Sequence, residues 1–373
     1  MAPTQRLPPS LTPLDVALAA FLQCIKPVAP IEIPPAEALG YVAAGMALVH
    51  PLPPRDVAVQ DGWALRSRDL VGASSYSPLP LSAQPVWVEA GDPIPEDCDC
   101  VVDADSVDQS GPIHQVLAEA IPGQGVRRAG EDLGGGTCAI AAGRIITSRD
   151  LLIARIAGLQ RLGLRRPRLR IVNIPAGSGE AATAQLISEN AQAAGAEIRC
   201  IEAEGRDAAS IANALEAEGC DLVVTIGGTG PGRTDAAISA IGTCGQVLAH
   251  GIALKPGRTG AVGRIGAVPA IALPGAPDQA LGVWWTLALP ALDKLAGRSR
   301  RPTETLQLSR KIASQVGLAE IVLLQKAKEG WIPLAVGDLS LATIARADAF
   351  LVIPGGSEGF AAGAPVDAYI LRD

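Results

Sequence analysis

Aromatic residues are scarce in this chain: Trp, Tyr and Phe together make up 3% of its 373 residues. With 48% of residues hydrophobic, its cores are expected to be filled by Leu, Ile, Val and Ala, and a disordered or fibrous chain is excluded. No uninterrupted run of about 18 apolar residues occurs, which argues against a membrane-spanning helix. Positive charge is not in excess either. A formal net charge of -7 offers no electrostatic footprint for nucleic acid or an anionic membrane, so an anionic ligand would need a local site. The N-terminus lacks a charged region leading into an unbroken apolar stretch, so no signal peptide is read. The seven cysteines (Cys24, Cys98, Cys100, Cys138, Cys200, Cys220 and Cys244) are odd in number and scattered. The one close pair, Cys98 and Cys100, has no second pair to complete a zinc site. Buried or half-buried reduced thiols and a cytoplasmic setting are expected.

What is present falls into blocks. Residues 14–25 show helical apolar periodicity after Ser10, Thr12 and Pro13, and a Pro-rich connector with one extended piece follows. Between about 51 and 124, short β-type runs (86–90, 100–105, 114–120) alternate with Gly, Pro, Asp and Ser clusters. The stretch 149–163 reads as a helix capped at Thr147 or Ser148 and ending at Gly163. From Arg168, strand and helix patterns alternate up to a long helix over 278–297, which predicts a parallel sheet covered on both faces. A basic linker, RSRRPTETL, then leads to short strands at 318–327, 349–354 and 366–373. The fold class expected is α/β plus β, multidomain.

The strongest local signal is DLVVTIGGTGPGRTD, residues 221–235. A buried strand runs into Gly227, Gly228, Gly230 and Gly232, and a helix is expected to start near Thr234 or Asp235. Glycines let backbone approach a ligand, and free N–H groups at a helix start favour an anion. The loop lacks the G-K-[ST] of a Walker motif and is not a G-x-G-x-x-G fingerprint. A purely structural turn, with Asp235 as a helix cap, is the competing reading. Downstream, LKPGR (254–258) and LPGAP (273–277) flank strands read as belonging to the same sheet. Lys255 and Arg258 there suit an oxyanion, or are two solvent-facing cations. In the first half, RDVAVQDGWA (55–64) sets Asp56, Asp61 and Trp63 in a Pro-bounded loop. RRAGED (127–132) packs two cations and two acids into one turn. Paired acids could hold Mg²⁺; each patch is also compatible with a solvated charged turn.

Six segments in this order resemble the molybdopterin molybdenumtransferase family along nearly the whole chain. PLPPRDVAVQDGWALR resembles D-N-S-A-M-D-G-Y-A, AGDPIPEDCDCVV resembles T-G-x-x-x-P-x-G-x-D-x-V, and VRRAGEDL resembles R-x-x-G-E-D-I. IGGTGPGRTD resembles S-G-G-x-S-x-G-x-x-D, LKPGRTGAVG resembles M-K-P-G-K-P-x-x-x-G, and ALPGAPDQAL resembles G-L-P-G-N-P-x-S. The member is divergent. Val57, Ala58, Gln60, Ala90, Ile226, Gly230, Arg258, Thr259 and Ala276 stand where the motifs have other residues, and the G-D-E region reads Gly177-Ser178-Gly179-Glu180.

The resemblance implies a linear region (1–45 and 125–165), an inserted β domain (46–124), a molybdopterin-binding α/β domain (166–302) and a C-terminal β domain (303–373). It also implies a cytoplasmic homodimer whose site lies between the α/β domain of one subunit and a region of the other. Asp61, Asp132 and Asp235 match the catalytic acids, and with Glu131 they match the metal-binding set for Mg²⁺. Gly227, Gly228, Thr229, Gly230, Lys255, Gly257, Arg258, Pro274 and Gly275 match the substrate-binding positions. The implied reaction inserts molybdate, the second substrate, into adenylylated molybdopterin and releases AMP. Other molybdenum cofactor enzymes are implied as partners; nucleic acid and membrane are not. Two alternatives stay open: a carrier or chaperone that holds the pterin without turnover, and a pterin adenylyltransferase.

Overall fold

In a computed structural model of the chain, which describes residues 5–23, 25–45, 50–136, 140–175 and 181–371, the run Leu222–Ile226 is buried at every position. A strand covered on both faces must be so. It sits inside a six-stranded sheet ordered Glu197–Glu202, Arg168–Asn173, Leu222–Ile226, Val268–Leu273, Ala261–Ile265, Gln246–His250. The first four strands are parallel, as expected. The last two are antiparallel, which the sequence reading missed. The reason is local: only Gly266 (φ +59°) and Ala267 separate Ile265 from Val268, and a two-residue connection can only make a hairpin.

Alternation along each strand supplies two cores. Ile171, Val224 and Ile271 pack with Ile187 and Ala191 of helix Ala182–Ala193 and with Trp284 and Leu287. Val172, Val223 and Ala270 pack on the other face with Ile211, Leu215 and Ile241. The connection from Arg168–Asn173 leads to its neighbour on one side. The next connection leads to Leu222–Ile226 on the other side, which makes a topological switch point. The long C-terminal helix is present as Pro277–Val283, a π segment Trp284–Ala288, and Leu289–Ala296 closed by left-handed Gly297. Aromatics, few as they are, enter the cores: Trp284 and Trp331 are the largest fully buried side chains.

A seven-stranded sheet carries the three expected C-terminal strands and four others. Its order is Thr12–Pro13, Ile252–Lys255, Ala319–Ala327, Ala349–Ile353, Pro365–Ile370, Thr303–Gln307, with Gly330–Val336 added against Ala319–Ala327. The segment ending in Lys255 therefore does not flank the α/β sheet, contrary to expectation; Leu254 and Lys255 pair in parallel with Ala319 and Glu320. A third small sheet joins Ile31–Ile33, Leu162–Arg165 and Val42–Gly45. This corrects the helix expected over 149–163. The helix is Ser148–Ile156; Gly158 follows at φ +69°, and alternating burial of Leu162 and Leu164 makes the next segment a strand.

Contacts divide the chain into two units, residues 1–45, 140–151 and 160–373, and residues 46–139 and 152–159. The second holds short strands, among them Val57–Ala58, Gly62–Leu65, Val86–Val88, Cys100–Val102 and Val126–Arg127, with 3-10 turns at Ser67–Leu70 and Ala104–Ser106 and the end of helix Ser148–Ile156. Among the described residues no helix is long and apolar enough to cross a membrane.

Candidate active site

Carboxyl ends of parallel strands are where an open α/β sheet binds ligands, and a cavity of about 750 Å³ opens there in the first unit. Asn173, Ile226 and Leu273 end three of the strands, and the loops that follow line the cavity. All nine positions expected to bind substrate, Gly227, Gly228, Thr229, Gly230, Lys255, Gly257, Arg258, Pro274 and Gly275, are brought together in its wall. So is Asp235. Residues 176–180, which include the divergent Gly177-Ser178-Gly179-Glu180, lie outside the described residues.

Gly227 and Gly228 turn the chain out of the central strand at φ +94° and +65°, a conformation that favours glycine. The Gly227 N–H is spent on the Leu273 carbonyl (2.9 Å). Carbonyls of the next three residues all accept protein donors: Gly228 from the Ala237 N–H, Thr229 from His250 Nε2, and Gly230 from Gln5 Nε2. The N–H groups of Gly228, Thr229 and Gly230 have no acceptor among the described residues. Successive backbone N–H groups left free in a glycine turn are the material of an anion-binding nest. Burial pushes the His250 imidazole below its ordinary range, so near neutrality its ring is an uncharged Nε2–H donor.

Asp235 does not cap the following helix, which starts at Ala237. Its carboxylate folds back under the loop. Oδ2 accepts from the Gly232 N–H (3.2 Å), and Oδ1 accepts from Arg206 Nη2 (2.9 Å). A Cβ on either Gly230 or Gly232 would stand 2.9 Å from Oδ2, so both glycines are needed for the carboxylate to lie there. Arg206 also donates from Nε to Thr234 Oγ1 and from Nη1 to the Pro175 carbonyl. It thereby ties the loop to the end of the neighbouring strand.

Opposite, Lys255 and Arg258 approach on the turn after Ile252–Lys255. Gln279 Oε1 accepts the Gly257 N–H (3.1 Å), Thr259 Oγ1 meets Thr229 Oγ1 at 2.9 Å, and Thr183 Oγ1 donates to the Gly275 carbonyl (2.7 Å). Arg258 is exposed and makes no ion pair among the described residues. Arg206, Lys255 and Arg258 are cationic and Asp235 is the one carboxylate in the described wall. With Asp235 paired to Arg206 and Glu320 beside Lys255, Arg258 is the wall cation without an ion pair among the described residues, and the cavity suits an anion.

Gln5, Thr183, Arg206, His250 and Gln279 were not found from the sequence. Arg206 had a usable signal, because it follows strand Glu197–Glu202 at its carboxyl end. The others act through partners distant in sequence and carry no local pattern.

The remaining acids lie in the second unit, where three motif segments converge. Strand Val57–Ala58 pairs with Val126–Arg127, the Ala58 N–H reaches the Asp92 carbonyl (2.9 Å), and Asp56 Oδ1 accepts the Ala129 N–H (2.8 Å). Trp63 lies on a strand, not in a loop, because Gly62–Leu65 pairs with Val86–Val88 and Cys100–Val102. Asp61 accepts the Ala90 N–H (2.8 Å), Glu131 the Arg128 N–H (2.8 Å), and Asp132 lies 3.4 Å from Arg127. No group of three His, Cys, Asp or Glu able to hold a metal occurs among the described residues. Among the described thiols Cys98, Cys100, Cys220 and Cys244 are buried or half-buried, as expected, and Cys200 is exposed; Cys24 and Cys138 lie outside the described residues.

Comparison with known proteins decides the family. The family model for the MoeA N-terminal region (domain I and II) matches residues 12–158. That for a probable molybdopterin binding domain matches 145–294, and that for the MoeA C-terminal region (domain IV) matches 339–371. The chain belongs to the molybdopterin molybdenumtransferase family. Relatives of modest identity fit this. Molybdopterin molybdenumtransferase 2 of Mycobacterium tuberculosis is 29% identical, over 77% of this chain and 81% of its own. Molybdopterin molybdenumtransferase 1 of the same organism is 26% identical, over 92% and 95%. In fold, a molybdopterin biosynthesis MoeA protein from Pyrococcus horikosii superposes with a TM-score of 0.76 at 24% identity, over 98% of this chain and 100% of that one. The α/β plus β class is thus the family fold, and the cavity lies within the matched molybdopterin-binding region plus Leu318.

Proposed function

We propose that this chain is an enzyme of molybdenum cofactor biosynthesis that inserts molybdate into adenylylated molybdopterin and releases AMP. The observation that carries the reading is the nest at Gly228–Gly230, faced by Lys255 and Arg258 in one cavity. Backbone N–H groups there would bind the pterin phosphate without desolvating a side chain, and the two cations would neutralise charge on molybdate or the phosphoanhydride. Arg206 and Asp235 would hold the loop in shape.

Mg²⁺ does not fit the four acids as this chain arranges them. Asp235 is already neutralised by Arg206, and among the described residues no three of the acids stand together as a metal-binding group. In the proposal, Asp61 and Asp132 reach the substrate from the second subunit of a cytoplasmic homodimer, and the four-region division (1–45 with 125–165, 46–124, 166–302, 303–373) accompanies it. Partnership with other cofactor-synthesis enzymes belongs to the same reading.

The test is AMP release from purified protein given adenylylated molybdopterin and molybdate, with pterin binding followed in parallel. Molybdate-dependent AMP release is expected. Tight binding without release would overturn turnover in favour of a pterin-holding role.

A further inference from the structure

A nest binds anions only while its peptide planes stay turned, and the groups that turn them lie on the carbonyl side. There the N-terminal segment supplies one side chain. Gln5 Nε2 donates to the Gly230 carbonyl at 2.9 Å and to the Gly228 carbonyl at 3.3 Å, while its Oε1 accepts the Ile238 N–H at 3.1 Å. Ile238 is in the first turn of helix Ala237–Cys244, whose cap residue is Ala236 and makes no side-chain hydrogen bond. The N–H groups of a first helical turn need an outside acceptor, usually a Ser, Thr, Asp or Asn cap. Gln5 fills that role from more than 230 positions away in sequence.

The amide therefore bridges both ends of the loop: two carbonyls where the chain leaves the strand, and one N–H where it enters the helix. Its delivery is fixed. Thr12 and Pro13 pair in parallel with Ile252 and Ala253, the Thr12 N–H bonds the Gly251 carbonyl (2.8 Å), and Pro8 packs where a Gly251 Cβ would stand 3.0 Å from it.

We propose that Gln5 is a positioning residue that holds the Gly228–Gly230 nest in its anion-binding form, an inference that rests on reading this loop as the phosphate site. Both polarities of the amide are used. A carboxylate in its place would keep the bond to Ile238 but set negative charge against two carbonyls and beside the bound anion.

The experiment compares the full-length chain with Gln5→Met and Gln5→Glu, reading amide hydrogen exchange without ligand and the affinity for inorganic phosphate. Gln5→Met is expected to speed exchange at Ile238 and weaken phosphate roughly five- to tenfold, the size of one or two hydrogen bonds. Gln5→Glu should weaken it further, and kcat at saturating substrate should stay near wild type while KM rises. Wild-type exchange at Ile238 together with wild-type phosphate affinity in Gln5→Met would overturn the inference. So would loss of protection throughout strand Ala319–Ala327, which would mark a general structural role. If exchange at Ile238 speeds up but even the wild type binds no phosphate, the bracing stands and the phosphate-site reading fails.

Discussion

Lys255 and Glu320 are register partners across a parallel strand pair, with Nζ 3.9 Å from Oε1. The lysine side chain is 51% exposed toward the cavity while the glutamate is 7% exposed. Glu320 is further held by the Ser314 hydroxyl (2.7 Å) and the Gln315 N–H (3.0 Å). Lys255→Met should lower turnover roughly a hundredfold, as loss of a charge at a developing anion does. It should also destabilise the fold, because a buried carboxylate loses its cation. Adding Glu320→Gln should restore urea stability without restoring turnover. Recovery of both in the double variant would show that Lys255 serves the fold alone.

Gly282 packs against the turn that carries the cations. A Cβ there would lie 2.2 Å from the Pro256 carbonyl oxygen, a backbone atom. Gly282→Ala should therefore cost about 1–3 kcal/mol by urea unfolding and raise KM by displacing Lys255 and Arg258. An unchanged midpoint would mean the helix moves freely.

Arg206 neutralises Asp235 inside the cavity wall. In Arg206→Met the carboxylate is left uncompensated, so phosphate should bind more weakly, whereas Arg206→Met/Asp235→Asn should recover much of the loss. Titration calorimetry on the three proteins decides it; equal weakness in both variants would exclude charge compensation.

The imidazole of His250 is held below its ordinary value of 6.5, with burial the largest cause and the Thr229 contact opposing it. A base whose folded value is depressed resists protonation in the folded state. The unfolded chain therefore takes up the proton first as pH falls through 6.5. Its stability contribution is complete above that value and declines below it. Thermal melts from pH 8 to pH 5 should show a steeper fall for wild type than for His250→Gln. Parallel curves would remove His250 from the acid response.

Asp61 and Lys255 belong to different units. Asp61→Ala and Lys255→Met should each fold yet lose turnover, while co-expressed mixtures should regain part of it if the site is completed by two subunits. Mixtures as inactive as the parents would sink the intersubunit assignment.

Much of this was legible in the sequence. The strand–helix alternation, both-face burial and the glycine loop follow from periodicity and turn chemistry, which are local. What failed was set by pairing. Ile252–Lys255 is a short apolar segment whose sheet depends on a partner at Ala319 and Glu320, and Leu162–Arg165 became a strand because Ile31–Ile33 and Val42–Gly45 flank it. Asp235 looked like a cap because it precedes a helix; Arg206, 29 positions earlier, claims it instead.

The seven-stranded sheet draws one strand from residues 12–13, one from 252–255 and the rest from 303–370. During synthesis, then, the lysine of the cavity waits unsupported until residues 319–327 have left the ribosome. A polypeptide stopped before them would carry every motif of the anion site and still leave one edge of Ile252–Lys255, the side away from Thr12–Pro13, open to other chains.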